Sequence, residues 1–306
     1  MANVAALDCG SLSTRLLMAD AEGVTLERMM RVTGLGRGVD RAGRLSPEAV
    51  DRVLEVLGGY RAVMDAHGVE AVAMVGTSAL RDAADRDSFR ERAAAVVGAE
   101  LELLDGGTEA LLSFRGATAE LAAEQGPFLV VDIGGGSTEL ATGPVPFVAR
   151  SLDVGCVRLT ERHLGSGPPS AAELARARSW VRDLLAGLEG QLPVPGGAAT
   201  LVGLAGTVSA LACYAQGLTR YDRRLVHHYR LARTAVVDAL GRLAALPAAE
   251  RAGLPGVEAA RAPFIVGGAL VLDEVMAWAG FEECLVSEAD ILDGLVMRLL
   301  ERGAGS

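Results

Sequence analysis

The chain has 306 residues, a length sufficient for two domains. Half of the residues are hydrophobic and only 4% are aromatic, so we expect cores made mostly of Ala, Leu and Val. The net charge of −10 argues against a general nucleic-acid or anionic-membrane binder. All 29 basic residues are arginines, so only arginine, backbone N–H groups or a metal ion can hold phosphate.

Short apolar runs alternate with longer helical patterns, which predicts an α/β protein. In chain order, the predicted strands are Val4–Leu7, Thr14–Ala19, Val69–Val75, Leu101–Leu104, Phe128–Val131, Glu139–Thr142, Val148–Leu152, Ala199–Leu204 and Glu283–Val286. The predicted helices are Pro47–Ala66, Asp87–Val97, Thr108–Ala123, Ala171–Leu188, Thr207–Gln216, Thr234–Leu246 and Pro263–Ala279. A polar Gly-Pro break at 124–127 predicts domains at 1–125 and 126–306, with the last helix packing back on the first domain.

The remaining composition features indicate a soluble, cytoplasmic protein. The four cysteines are far apart and form no CxxC pair, so we expect reduced thiols. The N-terminus has no basic stretch and an acidic residue at Asp8, so we expect no signal peptide. The uncharged segment 191–219 is long enough for a membrane span, and this alternative stays open, but its prolines and glycines favour loop, strand, turn and buried helix.

One pattern occurs twice in the chain, at Val4–Leu16 and again at Leu129–Leu140. Both copies read apolar strand, Asp, x, Gly, small residue, x, Ser, Thr, charged residue, Leu. We interpret them as two related β-hairpins. Backbone N–H groups in a glycine-rich turn can surround an anion, and a Ser hydroxyl adds a donor.

Two facing hairpins of this kind would hold a phosphate from both sides. The alternative is a pair of ordinary glycine-rich turns, each capped by its own Asp and Ser. The candidate phosphate-binding residues are Gly10, Ser11, Ser13, Gly134, Gly135, Gly136, Ser137 and Thr138.

At these residues the sequence resembles the Ppx/GppA phosphatase family, the exopolyphosphatases and guanosine pentaphosphate phosphohydrolases, in its short form. The resemblance implies a duplicated, two-domain α/β fold of the actin, Hsp70 and sugar-kinase (ribonuclease H-like) type with an interdomain cleft. Further segments agree with the family in order and spacing: Asp132–Leu140, Gly76–Ala83, Gly106–Ala110, Leu152–Glu161, Gly203–Val208 and Ser287–Gly294.

The resemblance implies roles for several charged residues. Glu109 would be the general base that activates water, although a helix-start carboxylate favoured by the dipole is the alternative. Arg81 would bind phosphate, unless it pairs with Asp82 or Asp85. Asp132 and Glu139 would bind Mg²⁺ or Mn²⁺, with Asp8 assisting through a metal-bound water. The alternative for Glu139 is a solvated strand residue.

The sequence also departs from the family pattern. Leu12 stands where the first hairpin usually has Asn, so an amide is lost. Asp105 and Thr108 replace the usual Ser and Glu, and Pro263 replaces an Asp after Arg261. We therefore expect altered activity rather than its absence.

One stretch, 220–233, is strongly basic. It could follow a long anionic chain through Arg220, Arg223, Arg224, His227 and Arg230, or it could be a solvated loop.

The function we expect is metal-dependent removal of terminal phosphate from inorganic polyphosphate. Alternatives are hydrolysis of guanosine pentaphosphate, a kinase of the same superfold, and a non-catalytic sensor of polyphosphate or alarmone. We expect no nucleic-acid or membrane partner, and a homodimer stays open.

Overall fold

The protein was analysed as a computed structural model that describes residues 3–165, 167–193 and 197–304. Its strands are β1 (Asn3–Cys9), β2 (Ser13–Ala19), β3 (Thr25–Val32), β4 (Val69–Gly76), β5 (Leu101–Leu103), β6 (Phe128–Ile133), β7 (Thr138–Gly143), β8 (Val148–Leu152), β9 (Thr200–Leu204), β10 (Arg230–Ala232) and β11 (Glu283–Val286). The helices of the first half are α1 (Val39–Ala42), α2 (Pro47–Ala66), α3 (Ser78–Asp82), α4 (Arg86–Val97) and α5 (Gly106–Thr118). The others are α6 (Cys156–Leu159), α7 (Ala171–Ala186), α8 (Ala205–Ala215), α9 (Arg223–Val226), α10 (Arg233–Ala244), α11 (Ala248–Arg251), α12 (Ile265–Ala279) and α13 (Ile291–Ala304). A short 3₁₀ turn covers Ala123–Gln125, and a π turn covers Thr160–Leu164.

The chain divides into two compact units. Unit 1 comprises residues 1–116 and 290–306, and unit 2 comprises residues 117–289. This division lies earlier in the chain than the Gly-Pro break at 124–127, and it assigns α13 to the first unit. Helix α13 belongs to the first unit because its residues Leu292, Leu295 and Val296 form a core with Val4 and Ala6 of β1.

Each unit contains one mixed sheet, and the two sheets share a strand order. In unit 1 the order is β3-β2-β1-β4-β5, and in unit 2 it is β8-β7-β6-β9-β11 with β10 added at the edge. Three antiparallel strands are followed by two parallel ones in both sheets. This repetition confirms the predicted duplicated α/β fold.

The central strand of unit 1 is buried on both faces, as expected for a strand between two helical layers. Ala5, Leu7 and Cys9 pack in one core with α2 and α4, while Val4 and Ala6 face α13. The alternation follows from the two-residue period of a strand. Asp8 near the end of this strand and Gly10 just after it are therefore positioned by a well-packed core.

Two strands were not predicted from the sequence. β3 reads TLERMMRV, is exposed or half-buried throughout, and lies at the sheet edge. Edge strands need no apolar face of their own, so the period-2 signal is absent. β10 is a three-residue edge strand inside the basic stretch.

The uncharged segment 191–219 contains β9 and the eleven-residue α8. Among the residues that the structure describes, no helix is both long and apolar enough to cross a membrane.

Candidate active site

The two predicted hairpins form, and their turns close in the same way. In the first hairpin (β1 and β2), Gly10 N–H donates to Ser13 O at 3.0 Å. In the second (β6 and β7), Gly134 N–H donates to Ser137 O at 3.0 Å. A Cβ at Gly10 or Gly134 would lie 3.0 or 3.1 Å from the same carbonyl oxygen, and neither glycine has a positive φ. A Cβ at either position would make a tight contact, so limited space rather than left-handed backbone favours glycine in these turns.

The residue opposite the aspartate distinguishes the two hairpins. Asp8 lies opposite Arg15 in the first hairpin, and Asp132 lies opposite Glu139 in the second. Side chains that face each other across an antiparallel pair lie on the same face of the sheet. The first hairpin thus carries an ion pair, while the second carries two carboxylates.

In the first hairpin, Arg15 holds one oxygen of Asp8. Its Nη2 and Nε donate to Asp8 Oδ2 at 2.7 and 3.0 Å, and its Nη1 donates to Asp290 Oδ2. The other oxygen, Asp8 Oδ1, is buried and has no hydrogen-bond partner among the described residues. Burial raises the pKa of Asp8, although Arg15 opposes this effect. An unsatisfied buried oxygen of this kind can still accept a hydrogen bond from a water molecule. The sequence did not identify Arg15 or Asp290 as members of this group.

In the second hairpin, Asp132 and Glu139 are both buried, with exposures of 7% and 2%. Ser151 of β8 donates its hydroxyl to Glu139 Oε1 at 2.8 Å. The alternative that Glu139 is a solvated strand residue is wrong, because Glu139 is only 2% exposed. Two adjacent carboxylates repel each other unless a cation neutralises them, and their oxygens are the donors that Mg²⁺ and Mn²⁺ prefer. The residues present therefore fit a hard divalent cation.

The turn of the second hairpin is held by the start of α6. Cys156 N–H donates to Gly134 O at 3.0 Å, and Val157 and Arg158 N–H donate to Gly135 O at 2.9 and 3.1 Å. A Cβ at Gly155 would lie 2.5 Å from Gly135 O, so only glycine allows this approach. The turn's carbonyl groups are thus occupied by α6.

Two of the predicted phosphate-binding hydroxyls have structural partners. Thr138 is fully buried and donates its hydroxyl to Val154 O at 2.5 Å. Ser11 is buried and its Oγ accepts from Ala79 N–H at 3.1 Å. Thr138 therefore supports the turn with its hydroxyl, whereas Ser11 still has its hydroxyl proton to donate.

The two predicted catalytic residues, Arg81 and Glu109, are in contact. Arg81 Nη1 donates to Glu109 Oε2 at 2.6 Å and to Leu104 O at 3.0 Å. Asp85, which was considered as a partner for Arg81, instead accepts from Leu45 N–H and lies 3.8 Å from Arg44. Arg81 and Glu109 are both mostly buried, with side-chain exposures of 23% and 11%. The arrangement places the Glu109 carboxylate beside a guanidinium that is fixed by two hydrogen bonds.

Comparison with known proteins identifies the family of the chain. The sequence profile of the Ppx/GppA phosphatase family matches residues 18–302. The chain belongs to the Ppx/GppA phosphatase family. Exopolyphosphatase 2 of Mycobacterium tuberculosis is 42% identical over 98% of this chain and 99% of its own length. Exopolyphosphatase 1 of the same organism is 29% identical over 97% of this chain and 88% of its own length.

Solved structures give the same result. The crystal structure of an exopolyphosphatase-like protein has a TM-score of 0.93 and 32% identity, covering 98% of this chain and 99% of that one. The Ppx/GppA enzyme of Aquifex aeolicus has a TM-score of 0.80 and 28% identity, with coverage of 98% and 99%. An exopolyphosphatase from Cytophaga hutchinsonii has a TM-score of 0.87 and 25% identity, with coverage of 98% of each chain.

Within this Ppx/GppA chain, the departures at Asp105 and Thr108 belong together. Asp105 Oδ1 accepts from Thr108 N–H at 2.8 Å, and its Oδ2 accepts from the Thr108 hydroxyl at 3.0 Å. The Asp105 carbonyl also accepts from Glu109 N–H at 2.9 Å. These hydrogen bonds to Thr108 lower the pKa of Asp105. Asp105 therefore caps α5, and the joint substitution preserves the helix start that carries Glu109.

The departure at Leu12 is also accommodated locally. Leu12 is buried at 5% exposure, and its carbonyl accepts from Thr33 and Gly34 N–H at 3.0 and 2.9 Å. The backbone of the turn is thus held by the residues after β3 without a side-chain amide.

The basic stretch of this family member is only partly available to a ligand. Arg224 pairs with Asp222 at 2.8 Å, Arg230 lies 3.4 Å from Glu283, and His227 bonds to Glu120. Arg220 and Arg223 are exposed and have no ion pair among the described residues. The stretch contains α9 and β10, so the alternative of a plain solvated loop is wrong. Acidic neighbours pair with Arg224 and Arg230, and the binding of a polyanion along this stretch stays a prediction.

Proposed function

We propose that this protein is an exopolyphosphatase, which hydrolyses the terminal phosphoric anhydride bond of inorganic polyphosphate with the help of Mg²⁺ or Mn²⁺. The observation that carries the proposal is the pair of opposed, buried carboxylates Asp132 and Glu139 in a chain with near full-length likeness to exopolyphosphatase 2. A buried acidic pair beside a glycine-rich turn is suited to a cation and the phosphate oxygens that share it.

Glu109 is the proposed general base. It accepts the proton of a water whose oxygen attacks the terminal phosphorus, while the bond from that phosphorus to the bridging oxygen breaks. The shortened polyphosphate leaves with the bridging oxygen as an anion, and inorganic phosphate is released. Arg81, which bonds to Glu109 at 2.6 Å, orients the carboxylate, and its fork matches phosphate oxygens.

The second hairpin supplies the proposed phosphate-binding turn. Its carbonyls at Gly134 and Gly135 are bonded to α6, so they are directed away from an anion. The turn is therefore rigid before substrate arrives, and preorganised donors stabilise developing charge more effectively than mobile ones. A divalent cation held by Asp132 and Glu139 would neutralise charge on the phosphate oxygens.

The experiment that tests this function measures phosphate release from long-chain polyphosphate and from guanosine pentaphosphate, each with Mg²⁺ or Mn²⁺ and with chelator. We expect metal-dependent release from polyphosphate with the higher kcat/KM. Faster release from guanosine pentaphosphate would reassign the substrate, and binding without release in metal would make the protein a sensor.

In the same assay, Glu109→Gln is expected to lower kcat by about 10²–10⁴ with little change in KM, because a general base is lost while the hydrogen bond to Arg81 is retained. Glu102→Gln is the matched control, since Glu102 pairs with Arg298 on the surface of the same unit. Near-normal turnover of Glu109→Gln would remove Glu109 from the mechanism.

A further inference from the structure

A second group of metal-binding side chains lies within unit 2, outside the carboxylate pair. Glu120, His227 and His228 each offer a ligand atom, and these atoms lie within 4.8 Å of one another. No other group of three or more His, Cys, Asp or Glu side chains meets this criterion within residues 3–165, 167–193 and 197–304. Glu120 Oε2 is 2.9 Å from His227 Nε2, and the two imidazole rings stack with centroids 3.8 Å apart.

The backbone of His228 provides a second, independent observation. Its φ is 63°, and the only other described non-glycine residue with a positive φ is Ala205. This left-handed region favours glycine, so a side chain here is held against its local preference. The conformation is fixed by His228 N–H, which donates to Val286 O at 2.7 Å. Residues with strained backbone cluster at active sites and ligand-binding positions, which favours a binding role for the His228 side chain.

We propose that Glu120, His227 and His228 bind a divalent transition-metal ion of the zinc class, such as Zn²⁺, Ni²⁺ or Co²⁺. Two imidazole nitrogens and one carboxylate oxygen suit these borderline ions, whereas the all-carboxylate pair Asp132 and Glu139 suits Mg²⁺ or Mn²⁺. Three protein ligands leave a coordination position for water. Glu120 and His228 are exposed, so an ion can reach the group from solvent.

Both ring nitrogens of His227 have hydrogen-bond partners, so metal binding must replace one of these hydrogen bonds. Glu288 N–H donates to His227 Nδ1 at 3.0 Å, so the neutral ring carries its proton on Nε2 and donates it to Glu120. A metal on Nε2 requires the ring proton on Nδ1 instead, because a ligating histidine donates from its other nitrogen. The amide of Glu288 must then turn away, so the metal competes with that bond and its affinity is moderate.

The direct test is a titration of tag-free protein with Zn²⁺ by calorimetry and with Co²⁺ by absorption, without substrate. The background is low, because only two further histidines are present and all four cysteines are buried. Excess Mg²⁺ is present to occupy the proposed site at Asp132 and Glu139, and we expect one equivalent of Zn²⁺ to bind at Glu120, His227 and His228. Hydrogen exchange at the Glu288 amide should accelerate when Zn²⁺ is added, since its partner nitrogen is lost.

His228→Gly is the most informative variant, because glycine accepts φ 63° and the fold should be at least as stable. Its Zn²⁺ affinity is expected to fall by about 10-fold or more, as is that of Glu120→Gln at the surface. His163→Ala removes a histidine elsewhere in unit 2 and should bind Zn²⁺ like wild type.

The proposal is overturned if wild type binds no equivalent of Zn²⁺ or Co²⁺, or if His228→Gly and Glu120→Gln bind as tightly as wild type. Unchanged Glu288 exchange in the presence of bound Zn²⁺ would equally exclude His227 as a ligand. All three measurements are independent of phosphatase activity.

Discussion

At the residue scale, one of the positions at which the two hairpins differ, Arg15 against Glu139, separates their chemistry. Arg15 neutralises Asp8 within the first hairpin, while Glu139 adds a second negative charge beside Asp132 in the second. The duplicated motif thus carries an ion pair in the first hairpin and two carboxylates in the second. Asp290, the residue before α13, also bonds to Arg15, and Arg15 together with Arg28 holds the pKa of Asp290 below the ordinary value despite burial.

The acidic pair leads to a prediction on metal dependence. Glu139→Gln is expected to raise the Mg²⁺ concentration for half-maximal activity by about tenfold or more, because a hard anionic ligand becomes a neutral amide. Ser151→Ala should have a smaller effect, since it removes only the hydroxyl that orients Glu139. Mg²⁺ titrations of the three proteins provide the measurement, and curves that overlay wild type would place the metal elsewhere.

At the element scale, the start of α5 positions Glu109, and Asp105 organises that start. Asp105→Ala is expected to reduce the free energy of unfolding by about 1 kcal/mol or less at pH 7, the usual value for a lost cap at an exposed site. Asp105→Ser should lose less, because serine still accepts from Thr108 N–H.

The pH dependence of this effect has a definite sign. The pKa of Asp105 is lowered from 3.8 in the folded protein, so its contribution is present above 3.8 and is lost as the pH falls through the folded value. Denaturation curves of wild type and Asp105→Ala should therefore converge below pH 3.8. A difference that stays constant with pH would show that the carboxylate charge is not responsible.

The contact between α6 and the second turn gives another prediction for an element. Gly155→Ala places a Cβ 2.5 Å from Gly135 O, so the turn must shift. We expect weaker product inhibition by phosphate and a lower kcat/KM. Gly241→Ala is the control, because a Cβ there meets nothing within 4 Å and helix α10 gains propensity. Equal behaviour of the two variants would mean that the turn does not depend on this contact.

At the scale of the whole molecule, an acidic protein of net charge −10 has to attract a polyanion through local basic groups. Arg220 and Arg223 are the exposed arginines of the basic stretch without an ion pair among the described residues. Replacing both with Gln should raise KM for long chains more than for short ones and flatten the salt dependence, while kcat stays nearly constant.

Arg224→Gln is the matched control for this prediction, because Arg224 is already neutralised by Asp222. KM measured on short and long polyphosphate at several salt concentrations separates the outcomes. An equal loss on both substrates would indicate misfolding or a direct active-site role, and no loss would exclude the stretch from binding.

Much of the fold was predictable because its signals are local. The bounds of α2 (Pro47–Ala66), β8 (Val148–Leu152) and β11 (Glu283–Val286) agree with the sequence predictions, since a cap or apolar run marks each end. β3 was missed because an exposed edge strand carries no apolar pattern, and α5 ends at Thr118 although its helical pattern continues to Ala123.

The sequence by itself determined the repeated hairpin, the family and the residue types available to bind phosphate and metal, because short contiguous motifs are enough to identify each of them. Only the tertiary structure decided which charges meet. Arg15 bonds to Asp290, which lies 275 positions away in the sequence. Arg81 bonds to Glu109, and His227 bonds to Glu120. Ion pairs form between side chains that the packed sheets and helices bring within a few ångströms, and that distance is a property of the fold rather than of spacing along the chain.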